Sequence, residues 1–187
     1  GAGKDEVASR VAACLAKRAS LLKGLEKSSG TNVFRLLHCE ADRFPGVSVD
    51  YIAGILRFVI QSPSTRGFLK KLEEALKKQL VPYLLENAPL VHVFNFRPAP
   101  KGQLRSVFLS EGSIPSESMN ERGRLEVFED GLKYEVDLGL NEPFNPAPGI
   151  GLFMDQRTNR RRLAKLVSPG SRWLNLFCHT GAFSVML

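Results

Sequence analysis

Apolar positions recur along the chain with two periods, and these predict its elements. From Asp5 to Lys27, Val7, Val11, Leu15, Leu22 and Leu25 approximate one stripe, with Arg10, Lys17, Arg18 and Lys23 largely outside it. That segment reads as one long helix with a solvated basic face, ended by Ser28-Ser29-Gly30. Val33–His38 reads as a strand. Val47–Tyr51 and Ile55–Gln61 read as a strand pair turning at Ala53-Gly54. Thr65–Leu80 is amphipathic: Thr65 is placed to cap it, Phe68, Leu69, Leu72, Leu76 and Leu80 form its buried stripe, and Pro82 closes it. Val91–Phe96 alternates as a strand, Arg97–Gln103 is a loop, Ser106–Leu109 a short strand, and Glu111–Glu121 a polar connection. Leu125–Glu129 and Leu132–Leu138 flank Asp130-Gly131, a strong hairpin signal.

The last stretch changes character. Asp155–Lys165 carries strong helix formers, with Asp at its start and Arg and Lys toward its end, as the helix dipole favours. Ser168-Pro169-Gly170 stops it. Arg172–Phe177 is a short apolar run suited to a buried parallel strand, Cys178–Gly181 a tight turn, and Ala182–Leu187 the start of a further helix. Strand, glycine-bearing turn and helix make half of a βαβ nucleotide-binding unit. One glycine is not a G-x-G-x-x-G, so dinucleotide binding is not implied, and the pattern alone suits any α/β core strand. Asn141–Gly149, rich in Pro and Gly, reads as a linker. It divides the chain into a small central α/β domain, 1–140, and a segment 141–187 that holds the linker and opens a second domain.

The 187 residues are 43% hydrophobic and 24% charged, an ordinary globular composition. No apolar run approaches the roughly 20 residues of a membrane helix, and no signal-peptide core follows Gly1. The net charge of +7 favours a polyanionic partner, RNA above all. Cys14, Cys39 and Cys178 lie far apart without a C-x-x-C, as reduced thiols do. His38, His92 and His179 show no ligand spacing, so no metal site is expected. Glu40 and Asp42 stand beside a Pro-Gly turn and read as acceptors for loop amides rather than as acid/base machinery.

Phe153, Asp155, Gln156 and Arg157, then a basic helix, then Leu174, Asn175, Phe177, Thr180, Gly181 and Phe183, form a combination of specific spacing. It resembles the S-adenosylmethionine (SAM)-dependent ribosomal RNA large-subunit methyltransferase I family. Glu40, Asp42, Pro45, Gly46, Asp50 and the acidic-Gly turn at Asp130-Gly131 also match. His179 stands where that family commonly has Tyr, and Cys178 where Ser is common. The resemblance implies that 141–187 open a Rossmann-like doubly wound domain, that of a class I methyltransferase acting on a ribosomal RNA base, at cytosine C5 or a guanine ring nitrogen. The cofactor is SAM, held by Phe153, Asp155, Gln156, Arg157, Asn175, Phe177, Thr180, Gly181 and Phe183. It also implies that an N-terminal RNA-binding domain and most of the catalytic domain lie outside these residues, so no catalytic residue is expected here and this piece alone is expected to be inactive. Cys178 matches a cofactor-loop position, not a nucleophile. A cytoplasmic protein, or an organellar one in a eukaryote, follows from the role, with a homodimer one option. The rival reading is a non-catalytic RNA-binding or ribosome-assembly protein derived from a methyltransferase fold. A small-molecule methyltransferase is disfavoured by the extra domain and the charge.

Overall fold

The computed structural model describes residues 2–25, 30–84, 91–96, 107–109, 119–120, 123–138 and 148–187. Two helices open the chain, α1 (Ala2–Lys17) and α2 (Ala19–Leu22). The single helix expected over Asp5–Lys27 is therefore interrupted at Arg18, whose φ of −107° and ψ of 11° leave the helical region. The cause is tertiary. The Arg18 guanidinium is drawn to Asp42, meeting both carboxylate oxygens at 2.9 and 2.5 Å.

A five-stranded sheet follows, in the order β1 (Val33–His38), β2 (Val47–Ile52), β3 (Ile55–Ile60), β4 (Val91–Phe96), β5 (Val107–Leu109). The first three strands and the last pair are antiparallel, while β3 and β4 run parallel and are joined across α3 (Arg66–Leu80). A parallel pair needs such a crossover, because a tight turn can only reverse the chain. The hairpins at Ala53-Gly54 and Asp130-Gly131 form as expected, both central residues of each turn having positive φ. The second joins β6 (Leu125–Glu129) to β7 (Leu132–Val136).

Two cores form on this frame. Val11, Leu15 and Leu22 of the first helices and Leu72, Leu76 and Leu80 of α3 pack against Phe34, Val49, Leu56 and Phe58 of the sheet. Each fully buried leucine contributes on the order of 2 kcal/mol. The second core unites Val33, Ile52 and Ile55 of the sheet with Leu125, Val127 and Val136 of the β6–β7 hairpin, and with Ile150, Leu152 and Ala182 further along. Backbone bonds fix that hairpin to the start of β1. Asn32 N–H donates to the Phe128 carbonyl at 2.9 Å, and the Asn32 side chain accepts from Phe128 N–H at 2.7 Å.

After a single 3₁₀ turn at Met154–Gln156 comes α4 (Arg157–Ala164), and the chain closes with α5 (Ala182–Met186). The strand expected over Arg172–Phe177 does not form. That run carries no ladder, and Leu174, Leu176 and Phe177 are 81%, 68% and 101% exposed. A parallel strand exists only through its neighbours, and among the described residues none pairs with it. The Rossmann-like sheet is thus not present in these residues, which are mixed α/β with one five-stranded sheet and one hairpin. The expected loop at Arg97–Gln103, most of the Glu111–Glu121 connection and residues 141–147 of the expected linker lie outside the described residues.

Candidate functional site

The two sequence segments that carry the cofactor resemblance meet in space. The Thr180 hydroxyl donates to the Gly151 carbonyl across 29 residues. The Phe153 and His179 rings lie 5.0 Å apart at 56°. The turn therefore rests on the segment that leads into Asp155. The turn itself is closed by Gly181 N–H to the Cys178 carbonyl at 2.8 Å, and Gly181 sits at φ 79°. Apart from its own neighbours along the chain, no heavy atom of the described residues lies within 4 Å of where a Gly181 Cβ would stand. An exposed turn of this kind leaves backbone open to a ligand.

The other predicted residues fall around this junction. Asp155 is exposed and its carboxylate accepts from Gln156 Nε2 at 3.1 Å, while Gln156 Oε1 accepts from Asn159 at 2.8 Å. Asp155 does not cap α4, since no side-chain cap bond is made. Arg157 is half-buried, and among the described residues its Nη1 has no hydrogen-bond partner. Burial, and then the neighbouring Arg161 charge, pull its guanidinium below the usual arginine range. Asn175 donates to Ser184 Oγ at 2.9 Å. Asn175 and Phe183 line one cleft of about 660 Å³, together with Leu163, Trp173 and Leu187. Phe153 and Asp155 line another, of about 270 Å³, with Arg35, His38 and Arg57. Phe177 points away from both, wholly exposed. Thus Phe153, Thr180 and Gly181 converge, Asn175 and Phe183 share a second wall, and Phe177 joins neither.

Sequence reasoning missed the polar framework beneath. Asp50 is buried and pairs with Arg35 at 2.5 Å and with the buried Arg57 at 3.5 Å, and both arginines line the cleft shared with Phe153–Asp155. Arg160, 1% exposed, grips Glu129 of β6 with bonds of 2.6 to 2.8 Å, and Arg161 pairs with Asp130 beside it. Burial pushes the Glu129 carboxyl up, and the Arg160 guanidinium pulls against it. The available signal was two adjacent acids, Glu129-Asp130, matched by two adjacent arginines, Arg160-Arg161. At the other end of β1, Glu40 and Asp42 act as loop acceptors: Gly46 N–H reaches Glu40 at 3.3 Å and His38 N–H reaches Asp42 at 2.8 Å. Among the described residues no cluster of His, Cys, Asp and Glu suits a metal ion, and no helix is long and apolar enough to cross a membrane.

Comparison with known proteins finds methyltransferases similar to this chain in sequence and in fold. No family model matches the chain. A ribosomal RNA large subunit methyltransferase of Deinococcus radiodurans is 32% identical over 178 residues, which are 95% of this chain and 40% of that protein. Ribosomal RNA large subunit methyltransferase K/L of Alteromonas mediterranea is 31% identical over 98% of this chain and 24% of its own length. Ribosomal RNA large subunit methyltransferase I of Shewanella frigidimarina is 29% identical over 86% of this chain and 36% of its own. This chain therefore spans less than half of each of these relatives. Among solved structures, a methyltransferase complexed with SAH superposes with a TM-score of 0.70 at 23% identity, covering 98% of this chain and 41% of that one. A structure from Streptococcus mutans presented as a SAM-dependent methyltransferase gives 0.68 at 22%, covering the same shares. At that identity the likeness establishes the fold.

Proposed function

We propose that the protein containing this chain transfers a methyl group from SAM to a base of ribosomal RNA, at cytosine C5 or a guanine ring nitrogen. The observation that carries the reading is the docking of the Thr180–Gly181 turn on Gly151–Phe153. It gathers two motifs, each carrying part of the cofactor resemblance, at one exposed place. The methyltransferase relatives support it. In this reading residues 1–140 are a central domain, and 141–187 open a doubly wound catalytic domain.

The residues present fit the cofactor. Open space stands over the Gly181 backbone, an aromatic pair lies beside it, and Asp155 offers an exposed carboxylate. Phe153, Asp155, Gln156, Arg157, Asn175, Thr180, Gly181 and Phe183 are the proposed holding set, and Phe177, wholly exposed, is left out of it. SAM supplies an already activated methyl on a sulfonium sulfur, so the work left to side chains is alignment and exclusion of water. The +7 charge suits an RNA partner.

The test is calorimetry and methyl transfer with the full-length protein. SAM binding, and incorporation of label from SAM into ribosomal RNA, are the expected results. RNA binding with no affinity for SAM would instead favour a non-catalytic assembly protein on a methyltransferase fold.

A further inference from the structure

Arg160 touches three separate parts of the candidate site at once. Its Nε and Nη2 hold both oxygens of Glu129 on β6, at 2.6 to 2.8 Å. Its Nη1 donates to the Phe153 carbonyl at 3.0 Å. Its guanidinium carbon lies 5.7 Å from the centroid of the Phe183 ring on α5. The side chain is 1% exposed and that of Glu129 0%. Three donors in one rigid plane, with a cation face left for an aromatic ring, are a combination only arginine offers.

From this geometry we infer that Arg160 is a positioning residue for the SAM site. It holds the Phe153–Arg157 segment and the Gly181–α5 turn in fixed relation to the β6–β7 hairpin. The inference rests on the function proposed above but concerns a residue outside the holding set. It follows from connectivity. Phe153 reaches the turn through the His179 ring, and Phe183 follows the turn by two residues, so both motifs bear on the same guanidinium. Glu129 anchors that guanidinium to a hairpin that belongs to the second core. Arg161 with Asp130 repeats the clamp one residue on, at an exposed position where it adds little.

A buried ion pair is weak support for stability. Replacing both partners by apolar residues of similar volume is often neutral or stabilising, whereas removing one leaves a buried charge. This separates positioning from folding. The test uses the full-length protein with Glu129→Leu/Arg160→Met and, separately, Arg160→Lys. Arg160→Lys keeps a charge beside Glu129, but one ammonium does not span Glu129, the Phe153 carbonyl and the Phe183 face together. Expected are melting temperatures within a few degrees of wild type for the lysine variant, a SAM dissociation constant raised about tenfold in each variant, and amide exchange at Gly181 and Val185 faster by a similar factor. Wild-type exchange at those amides in folded Arg160→Lys protein overturns the inference, whatever becomes of the double variant. The exchange measurement needs no cofactor. If the wild-type protein binds no SAM, the proposed function fails, and the exchange rates still decide whether Arg160 positions the turn.

Discussion

The hydroxyl of Thr180 reaches back 29 residues to the carbonyl of Gly151, and this bond ties the turn before α5 to the segment before α4. Thr180→Val keeps the shape and removes the donor. The expected cost is about 1 kcal/mol locally, with SAM affinity of the full-length protein falling severalfold and Thr180→Ser restoring it. Calorimetry on both variants checks this; equal affinity in Thr180→Val would detach the bond from cofactor binding.

Gly181 separates two reasons for needing glycine. Its φ is 79° and nothing lies within 4 Å of a built Cβ, so the demand is conformational rather than steric in the unliganded chain. Gly181→Asn, which tolerates the left-handed region, is expected to fold nearly as well as wild type. Gly181→Val is expected to lose about 1–2 kcal/mol. Thermal melts of the two variants distinguish them, and SAM binding should fail in Val more than in Asn.

Gly46 is constrained twice. Its φ is 76°, and an added Cβ would stand 3.0 Å from Ser62 Cβ and 3.1 Å from Thr65 Cγ2. Gly46→Ala is expected to destabilise by about 2 kcal/mol. Gly67, in the first turn of α3 with open space around it, makes the control, since Gly67→Ala should stabilise by about 0.5 kcal/mol. Urea unfolding midpoints moving in opposite directions would bear this out.

How far the sequence carried the fold differs by element. The strands β1 to β3 and the β6–β7 hairpin were legible because alternation and the Ala53-Gly54 and Asp130-Gly131 turns are local chemistry. The break at Arg18 was not, because its cause, Asp42, lies 24 residues away. Asp50 and Arg57, charged yet only 0% and 3% exposed, pair across β2 and β3, and no local pattern marks that burial. The strand over Arg172–Phe177 is absent for the opposite reason: its apolar run is genuine, but a ladder requires partners, and the described residues supply none. At the site, the spacing of Phe153–Arg157 and Thr180–Phe183 was visible, and the Arg160–Glu129 pair beneath them was not. Two residues 31 apart share no local pattern.

Asp42 should make stability depend on acid. Burial acts to raise its carboxyl pKa, but hydrogen bonds from Arg18, Lys17 and the His38 N–H outweigh it and hold the group well below the usual carboxylate range. A depressed folded value means the stabilisation is complete above the unfolded value, near 4, and is lost as pH falls below it. Melting temperatures followed from pH 6 down to pH 2 should drop more steeply in wild type than in Asp42→Asn, which is less stable at pH 6 by about 2 kcal/mol.

The cysteines should divide by reactivity. Cys14 is buried, its thiol bonded to the Leu36 carbonyl at 3.0 Å, and burial pushes its pKa to about 11. Cys178 is exposed in the turn. A thiol reagent at neutral pH should modify Cys178 within minutes and Cys14 only on unfolding, and SAM should slow the reaction at Cys178 if the turn holds cofactor.

The division of the two cores has a consequence for synthesis. The first core draws its buried residues from Val11 to Leu80 and can close early, while β1–β3 and α3 are still the newest structure made. Val33, Ile52 and Ile55 belong to the second core, whose other members among the described residues run from Leu125 to Ala182. Among the described residues, the first core is thus complete in the chain before the β6–β7 share of the second is made. Mutations that slow pairing of Asn32 with Phe128 would delay the hairpin's arrival on Val33, Ile52 and Ile55 and lengthen the time that the second core stays incomplete.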